Sequence, residues 1–385
     1  MIYLDNAATT PLDPEVLDAM LPYLRGSYGN PGGLYKLGRD ANTAVENARI
    51  QVAKFIGSKP DQVVFTSGGS EGNNLVFFGL RRHLDELGKK HLIVSAVEHD
   101  SVLKAAGAMA SSHGFFVSRV MPTQACQILP TEVESAITSD TGIVSVMFSN
   151  NETGVTNHDL DKIAEISHRY GSLFHTDAVQ AAGFYDIDVE KTHCDFMTVS
   201  SHKLHGPKGV GAVFIRGKEI VDPLIYGGSH QEFGLRGGTE NVAGIVGFGK
   251  ACEIAQRDLE TNRLKIEEAA MAFLFLLSSE LGSNMMTWNG IDDIVGNKTV
   301  NLLFNRVDAE TLILLLDANG VCASAGSACC SLEHTPSHVL TAMGLSADEA
   351  RSSVRFSFSR FITREAASSA AKIVAECVKL LQPGL

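Results

Sequence analysis

Phe196-Met197-Thr198-Val199-Ser200-Ser201-His202-Lys203 is a run of apolar and β-branched residues that stops on two hydroxyls, an imidazole and an amine. A nearly continuous apolar run of this length reads as a strand buried on both faces, with its polar end left at the rim of a sheet. Working outward, similar runs occur at Val63–Thr66, Leu92–Val97, Phe115–Val120, Ile143–Ser149, Leu173–Thr176 and Val210–Ile215, most of them separated by stretches long enough for a helix. This alternation predicts an α/β domain around a mostly parallel, seven-stranded central sheet. Ahead of it, Ala41, Ala44, Val45, Ala48, Val52 and Phe55 recur at spacings of three and four and predict a helix over 39–56, with Gly57 at the C-terminal cap position. The first fourteen residues, with Asn6, Pro11 and Pro14, read as an extended arm. After residue 250 the pattern changes to a long helical stretch (Cys252–Leu281), a strand at Thr299–Phe304, a helix near Glu310–Ala318, a Cys-rich loop and a last helix over Thr363–Leu381. The expected organisation is an arm (1–14) packed with a smaller α+β domain (252–385), and a large domain (15–251) between them.

Composition narrows the function classes. The 385 residues suffice for roughly two to three domains. With 44% hydrophobic and 20% charged residues the chain is globular rather than disordered. A net charge of −12 argues against nucleic acid or an anionic membrane as the main partner. The longest apolar run, Ala269–Leu277, falls far short of the ~20 residues of a membrane span, and the N-terminus has no signal-peptide pattern. Seven scattered cysteines predict reduced thiols and a cytoplasmic protein rather than a disulfide framework.

Parallel sheets bind ligands at the C-terminal ends of their strands, so the residues that follow each run matter most. Val63–Thr66 leads into Ser67-Gly68-Gly69-Ser70, a strand-to-helix turn whose amides suit a phosphate. Leu92–Val97 ends in Glu98-His99, Ile143–Ser149 in Asn150-Asn151-Glu152, and Leu173–Thr176 in Asp177 with Gln180 one turn on. Each has a bland reading: a Gly-rich turn, a loop histidine, a helix N-cap, a solvated lysine. Polar groups closing several neighbouring strands favour one shared rim. A lysine that can form a Schiff base, a carboxylate that keeps a pyridine nitrogen protonated, a histidine that stacks and a Gly/Ser phosphate loop together suit pyridoxal 5'-phosphate (PLP).

Across nearly its whole length the sequence resembles the cysteine desulfurases of the class V aminotransferase group, PLP enzymes of fold type I. The resemblance is carried by Tyr3-Leu4-Asp5-Asn6-Ala7-Ala8-Thr9-Thr10, Phe65-Thr66-Ser67-Gly68, Glu98-His99, Asn150-Asn151-Glu152-Thr153-Gly154 and His175-Thr176-Asp177-Ala178-Val179-Gln180. It continues through Ser201-His202-Lys203-Leu204-His205-Gly206-Pro207-Lys208-Gly209, Arg236-Gly237-Gly238-Thr239, Ser327-Ala328-Cys329, Pro336-Ser337-His338-Val339-Leu340 and Ser353-Val354-Arg355-Phe356-Ser357. It implies that Lys203 is the Schiff-base lysine and α-proton base, that Asp177 partners the pyridinium nitrogen, that Gln180 donates to the phenolic oxygen, and that His99 stacks on the ring and moves protons. Gly69, Ser70, Ser200 and His202 are implied phosphate ligands. Thr239 is implied to reach the phosphate of the neighbouring subunit, hence a homodimer. Asn151 and Arg355 are implied to hold the substrate carboxylate, and Cys329 to take sulfur from L-cysteine as a persulfide for an acceptor protein in iron–sulfur cluster assembly, tRNA thiolation or DNA phosphorothioation. The small-residue surroundings of Cys329 independently suggest an exposed thiol, whereas Cys194, Cys252 and Cys377 read as core.

Departures from the family pattern are the segment Asn30-Pro31-Gly32-Gly33-Leu34-Tyr35, Gly69-Ser70 in the phosphate loop, Cys330, and an end at Leu385 that favours a dedicated acceptor over the scaffold docked by a longer C-terminal extension. A zinc site at Cys329, Cys330, His334 and His338 is disfavoured, because adjacent cysteines splay poorly as co-ligands and Pro336 breaks a pairing helix; no metal is expected. Alternatives are a selenocysteine lyase or other class V enzyme, and an inactive docking subunit of a sulfur-transfer complex.

Overall fold

The computed structural model describes residues 1–282, 284–290, 298–326 and 335–382. Its strands in chain order are β1 (Ile2–Tyr3), β2 (Val63–Thr66), β3 (His91–Ser95), β4 (Phe116–Val120), β5 (Thr141–Ser145), β6 (Leu173–Asp177), β7 (Phe196–Ser200), β8 (Gly211–Ile215), β9 (Met286–Asn289), β10 (Thr299–Phe304), β11 (Val321–Cys322) and β12 (Ser353–Ser357). Strands β2 to β8 form one sheet in the order β2-β8-β7-β6-β5-β3-β4. From β4 to β7 all neighbours are parallel, whereas β8 runs antiparallel to both β7 and β2. The physical reason lies in the connection 201–210, which is shorter than the dozen or so residues that a parallel crossover needs.

The apolar runs are continuous because both faces are covered. Ile93, Val144, Met197 and Phe214 join one core. Their neighbours Leu92, Val94, Ile143, Phe196, Val213 and Ile215 join the core on the opposite face. The helix expected over 39–56 spans Lys36–Phe55, buries Ala41, Ala44, Val45, Ala48 and Val52, and packs on the helix Val242–Arg257. Gly57 follows it at φ 70°, where a Cβ would be strained.

A third core joins Val300, Leu302, Val354 and Phe356 to the helices Leu259–Leu281 and Arg364–Leu381. Its sheet is antiparallel, in the order β12-β10-β9. β1 pairs in parallel with β11, and Leu4 is buried in this core. The stretch read as one helix from Cys252 is two, Val242–Arg257 and Leu259–Leu281, broken at Asp258. Cys252, Ile254 and Ala255 face the first core while Ile266, Ala269, Phe273 and Leu277 face the third, so the chain must redirect between them. β12 alternates Ser353, Arg355 and Ser357 with apolar residues, the pattern of a half-exposed strand, yet all five are buried. Its polar face lies against protein, which local patterning does not reveal.

Candidate active site

The C-terminal ends of β3, β5, β6 and β7 open on one cleft of about 250 Å³. The helix Gly69–Gly79 begins at this rim, so its first-turn amides, which have no intrahelical partner, point toward it. Gly68, at φ 155°, makes the turn from β2. A Cβ on Gly69 would meet Val179 Cγ2 at 2.9 Å, so any larger residue there requires the Val179 side chain to shift. Ser200 closes β7, and its Oγ is buried without a partner.

Lys203 ends the short 3-10 turn Ser201–Lys203 after β7. Its Nζ donates to Ala8 O at 2.8 Å and to Ala7 O, so the N-terminal arm roofs the amine. Asp177, the last residue of β6, is buried; its Oδ1 accepts from Val179 N at 2.9 Å and its Oδ2 from Asn73 Nδ2 at 2.7 Å. Gln180 Nε2 donates to Ala7 O at 2.9 Å, leaving Oε1 buried and unpartnered. His99 caps the helix Asp100–His113 through Nδ1.

Electrostatics sort the other ionisable groups. Burial, reinforced by Lys203 and Lys208, pushes the His202 imidazole down to about 4, so it is neutral at pH 7 and keeps a nitrogen for a ligand beside its contact with Thr9 Oγ1 at 3.1 Å. Burial pushes His175, behind Asp177 on β6, down to about 3. Glu98 is buried behind the cleft, and burial together with the Asp177 charge pushes its carboxyl up to about 8 against the hydrogen bonds it accepts from Ser95 Oγ and Met147 N, both at 2.6 Å.

Of the residues singled out in the sequence, Gly69, Ser70, His99, Asn151 and Asp177 line this cleft, as do Gln180, Ser200, His202 and Lys203. Arg355 does not. It is 2% exposed; Nη2 pairs with Asp5 Oδ1 at 2.8 Å, Nη1 donates to Asn151 O at 2.9 Å, and Nε has no partner. Thr239 is exposed on the loop after Arg236. Cys329, Cys330 and His334 lie outside the described residues, and His338 Nε2 is engaged with Glu98 O at 3.0 Å. Among the described residues no group of three or more His, Cys, Asp or Glu gathers as metal ligands, and no helix is long and apolar enough to cross a membrane. Asn73, Ser101 and Met147 also line the cleft.

Residues 2–368 match the aminotransferase class-V family model, and the chain belongs to that family. The cysteine desulfurase IscS of Dictyoglomus turgidum is 39% identical over 364 residues, covering 94% of this chain and 91% of that protein. Among solved structures, a NifS-like protein superposes with a TM-score of 0.90 at 32% identity, covering 98% of this chain and 99% of its own. SspA, solved in complex with cysteine, superposes with a TM-score of 0.81 at 35% identity, covering 94% and 99%. The family is PLP-dependent, and the cleft fits that cofactor. Ser200 Oγ, Gln180 Oε1 and Asn151 Oδ1, all at its wall, are buried polar atoms without a partner. Unsatisfied atoms of this kind are uncommon in a native interior unless a ligand completes them. An acid, an amine and an open helix start face the same space, matching ring nitrogen, aldehyde and phosphate.

Proposed function

We propose that this protein is a cysteine desulfurase that converts L-cysteine to L-alanine and passes the sulfur to an acceptor through a persulfide on Cys329. The observation that carries the reading is the placement of Lys203 and Asp177 in one cleft with the open start of the helix Gly69–Gly79. Bound PLP supplies an electron sink that makes the α-proton and then the C–S bond of cysteine labile. The chain does the rest. Gly69, Ser70, Ser200 and neutral His202 hold the phosphate; Asp177 holds the ring nitrogen's proton; Gln180 and His99 fix the ring. Lys203 Nζ takes the α-proton and returns it. Asn151 and Arg355 seat the substrate carboxylate, for which Arg355 must exchange Asp5 for the ligand. The Cys329 thiolate attacks the substrate sulfur: the S–S bond forms as the Cβ–S bond breaks, and Cβ takes a proton to become the alanine methyl.

The working unit is a homodimer, with Thr239 serving the partner's phosphate. In support, Tyr28, Leu34 and Tyr35 are exposed, as are Tyr226 and Phe233, and the two segments that bear them approach where a Cβ on Gly32 would lie 3.7 Å from His230 Nε2. The division into an arm (1–14), a large domain (15–251) and a small domain (252–385) is supported by the separate third core. A cytoplasmic location and an acceptor protein for the sulfur complete the proposal. The test is alanine release from cysteine by the PLP-loaded protein. Lys203→Ala loses the absorbance of the lysine-bound cofactor and at least ~10³-fold of the rate, while Cys329→Ser keeps the absorbance and loses alanine release. Wild-type rates in either variant overturn the corresponding assignment.

A further inference from the structure

Asp177 and His99 reach the cleft from the ends of different strands, yet a continuous chain of hydrogen bonds joins them. Building on the cofactor reading, we infer that Asn73 and Ser101 are positioning residues that lock Asp177 and His99 into one unit. Asn73 is 1% exposed, on the cleft side of the helix Gly69–Gly79. Its Nδ2 carries two hydrogens and spends both, one on Asp177 Oδ2 at 2.7 Å and one on Ser101 Oγ at 2.8 Å. Ser101 Oγ thereby accepts, and its own hydrogen is directed to His99 Nδ1 at 2.8 Å. The Ser101 backbone N–H donates to the same Nδ1 at 3.1 Å.

A backbone N–H can only donate, so His99 Nδ1 is an acceptor and the ring proton sits on Nε2. Moving the proton to Nδ1 breaks the bond from the Ser101 backbone N–H, reverses the one to its hydroxyl and uncaps the helix Asp100–His113. The Asn73 amide is oriented with equal force, because turning it over sets Oδ1 against the Asp177 carboxylate. Oδ1 itself is buried without a partner, so the orientation comes from the two bonds of Nδ2. With Val179 N on its other oxygen, Asp177 is held at both ends. The acid for the ring nitrogen and the imidazole that moves protons therefore cannot turn independently, and His99 exchanges protons through Nε2 alone.

The test reads the histidine directly. In protein labelled with 15N-histidine, with and without PLP, NMR should show His99 Nδ1 unprotonated and Nε2 protonated. Asn73→Ala should raise the PLP dissociation constant roughly ten-fold and lower kcat by a similar factor, with KM for cysteine within about two-fold, as expected for the loss of a charge-assisted bond to Asp177. Ser101→Ala keeps the capping amide, so it should cost only about three-fold in kcat while shifting the Nδ1 resonance, and Ser101→Thr should restore both. A protonated Nδ1 in the wild type, or unchanged ring resonances and PLP affinity in both alanine variants, overturns the inference. Failure of the cofactor reading looks different: the wild type binds no PLP, while the His99 resonances still respond to Asn73→Ala.

Discussion

Two polar clusters are buried on the same sheet, one against the edge strand β2 and one across the ends of β3, β5, β6 and β7. At the edge, Arg49 and Glu232 form a bidentate pair with both bonds at 2.8 Å and side chains 4% exposed. Arg49 also donates to Val63 O, Glu232 accepts from Phe65 N at 2.7 Å, and the guanidinium lies 4.7 Å from the Phe65 ring centre. No polar atom of either side chain is left unsatisfied. The pair clamps the loop bearing Glu232 and Phe233, both in the left-handed region at φ 41° and 59°, a strained backbone that needs such an anchor. In the cleft the opposite holds: Ser200, Gln180 and Asn151 each keep an unpartnered buried atom, and Glu98 has no cation beside it among the described residues. A completed cluster builds structure, whereas an incomplete one is shaped for something that must still arrive.

The contrast can be broken most forcefully at Arg49. Arg49→Ala strands the Glu232 carboxylate in the interior and should cost about 3–5 kcal/mol of unfolding free energy, measured by denaturant titration; a loss below about 1 kcal/mol removes the clamp.

Next comes Glu98. Its folded-state value of about 8 stands above the ordinary 4.5, so between these limits the folded protein binds more protons than the unfolded chain and stability falls as pH rises. Glu98→Gln removes that slope and keeps an oxygen for Ser95 and Met147. Relative to wild type the variant should gain roughly 2–3 kcal/mol between pH 6 and pH 8. Parallel stability curves for the two proteins over that range refute the neutral, protonated Glu98.

The smallest effect is expected at Ser200. Ser200→Ala deletes an unsatisfied hydroxyl, so the cofactor-free protein should keep or gain about 1 kcal/mol, while PLP binds more weakly. A destabilised cofactor-free variant shows that the hydroxyl already has a partner, and the contrast between the two clusters disappears there.

Much of this was legible in the chain. All seven strands of the large sheet lie at or within a few residues of apolar runs, because burial on both faces favours apolar residues along most of them; the edge strand β4, with an exposed Phe116 and with Ser118 and Arg119, is the exception. Nine of the candidate residues were legible for a related reason: Gly69, Ser70, His99, Asn151, Asp177, Gln180, Ser200, His202 and Lys203 follow strand ends, and strand ends share a rim. Asn73 and Ser101 were not, since each is an ordinary polar residue near a helix start until the partner 28 positions away is in place. Arg49 and Glu232, 183 residues apart, carry no mutual signal at all. β12 was hidden because its polar face meets protein, not water.

The order of residues alone determined the layered α/β architecture, the family and the rim where the chemistry gathers, because periodicity and strand ends are local properties. Tertiary structure alone decided that Arg355 faces Asp5 and that Asp177 and His99 share one hydrogen-bonded frame. Hydrogen bonds act over about 3 Å, and which distant groups come that close is settled only when the whole chain has packed.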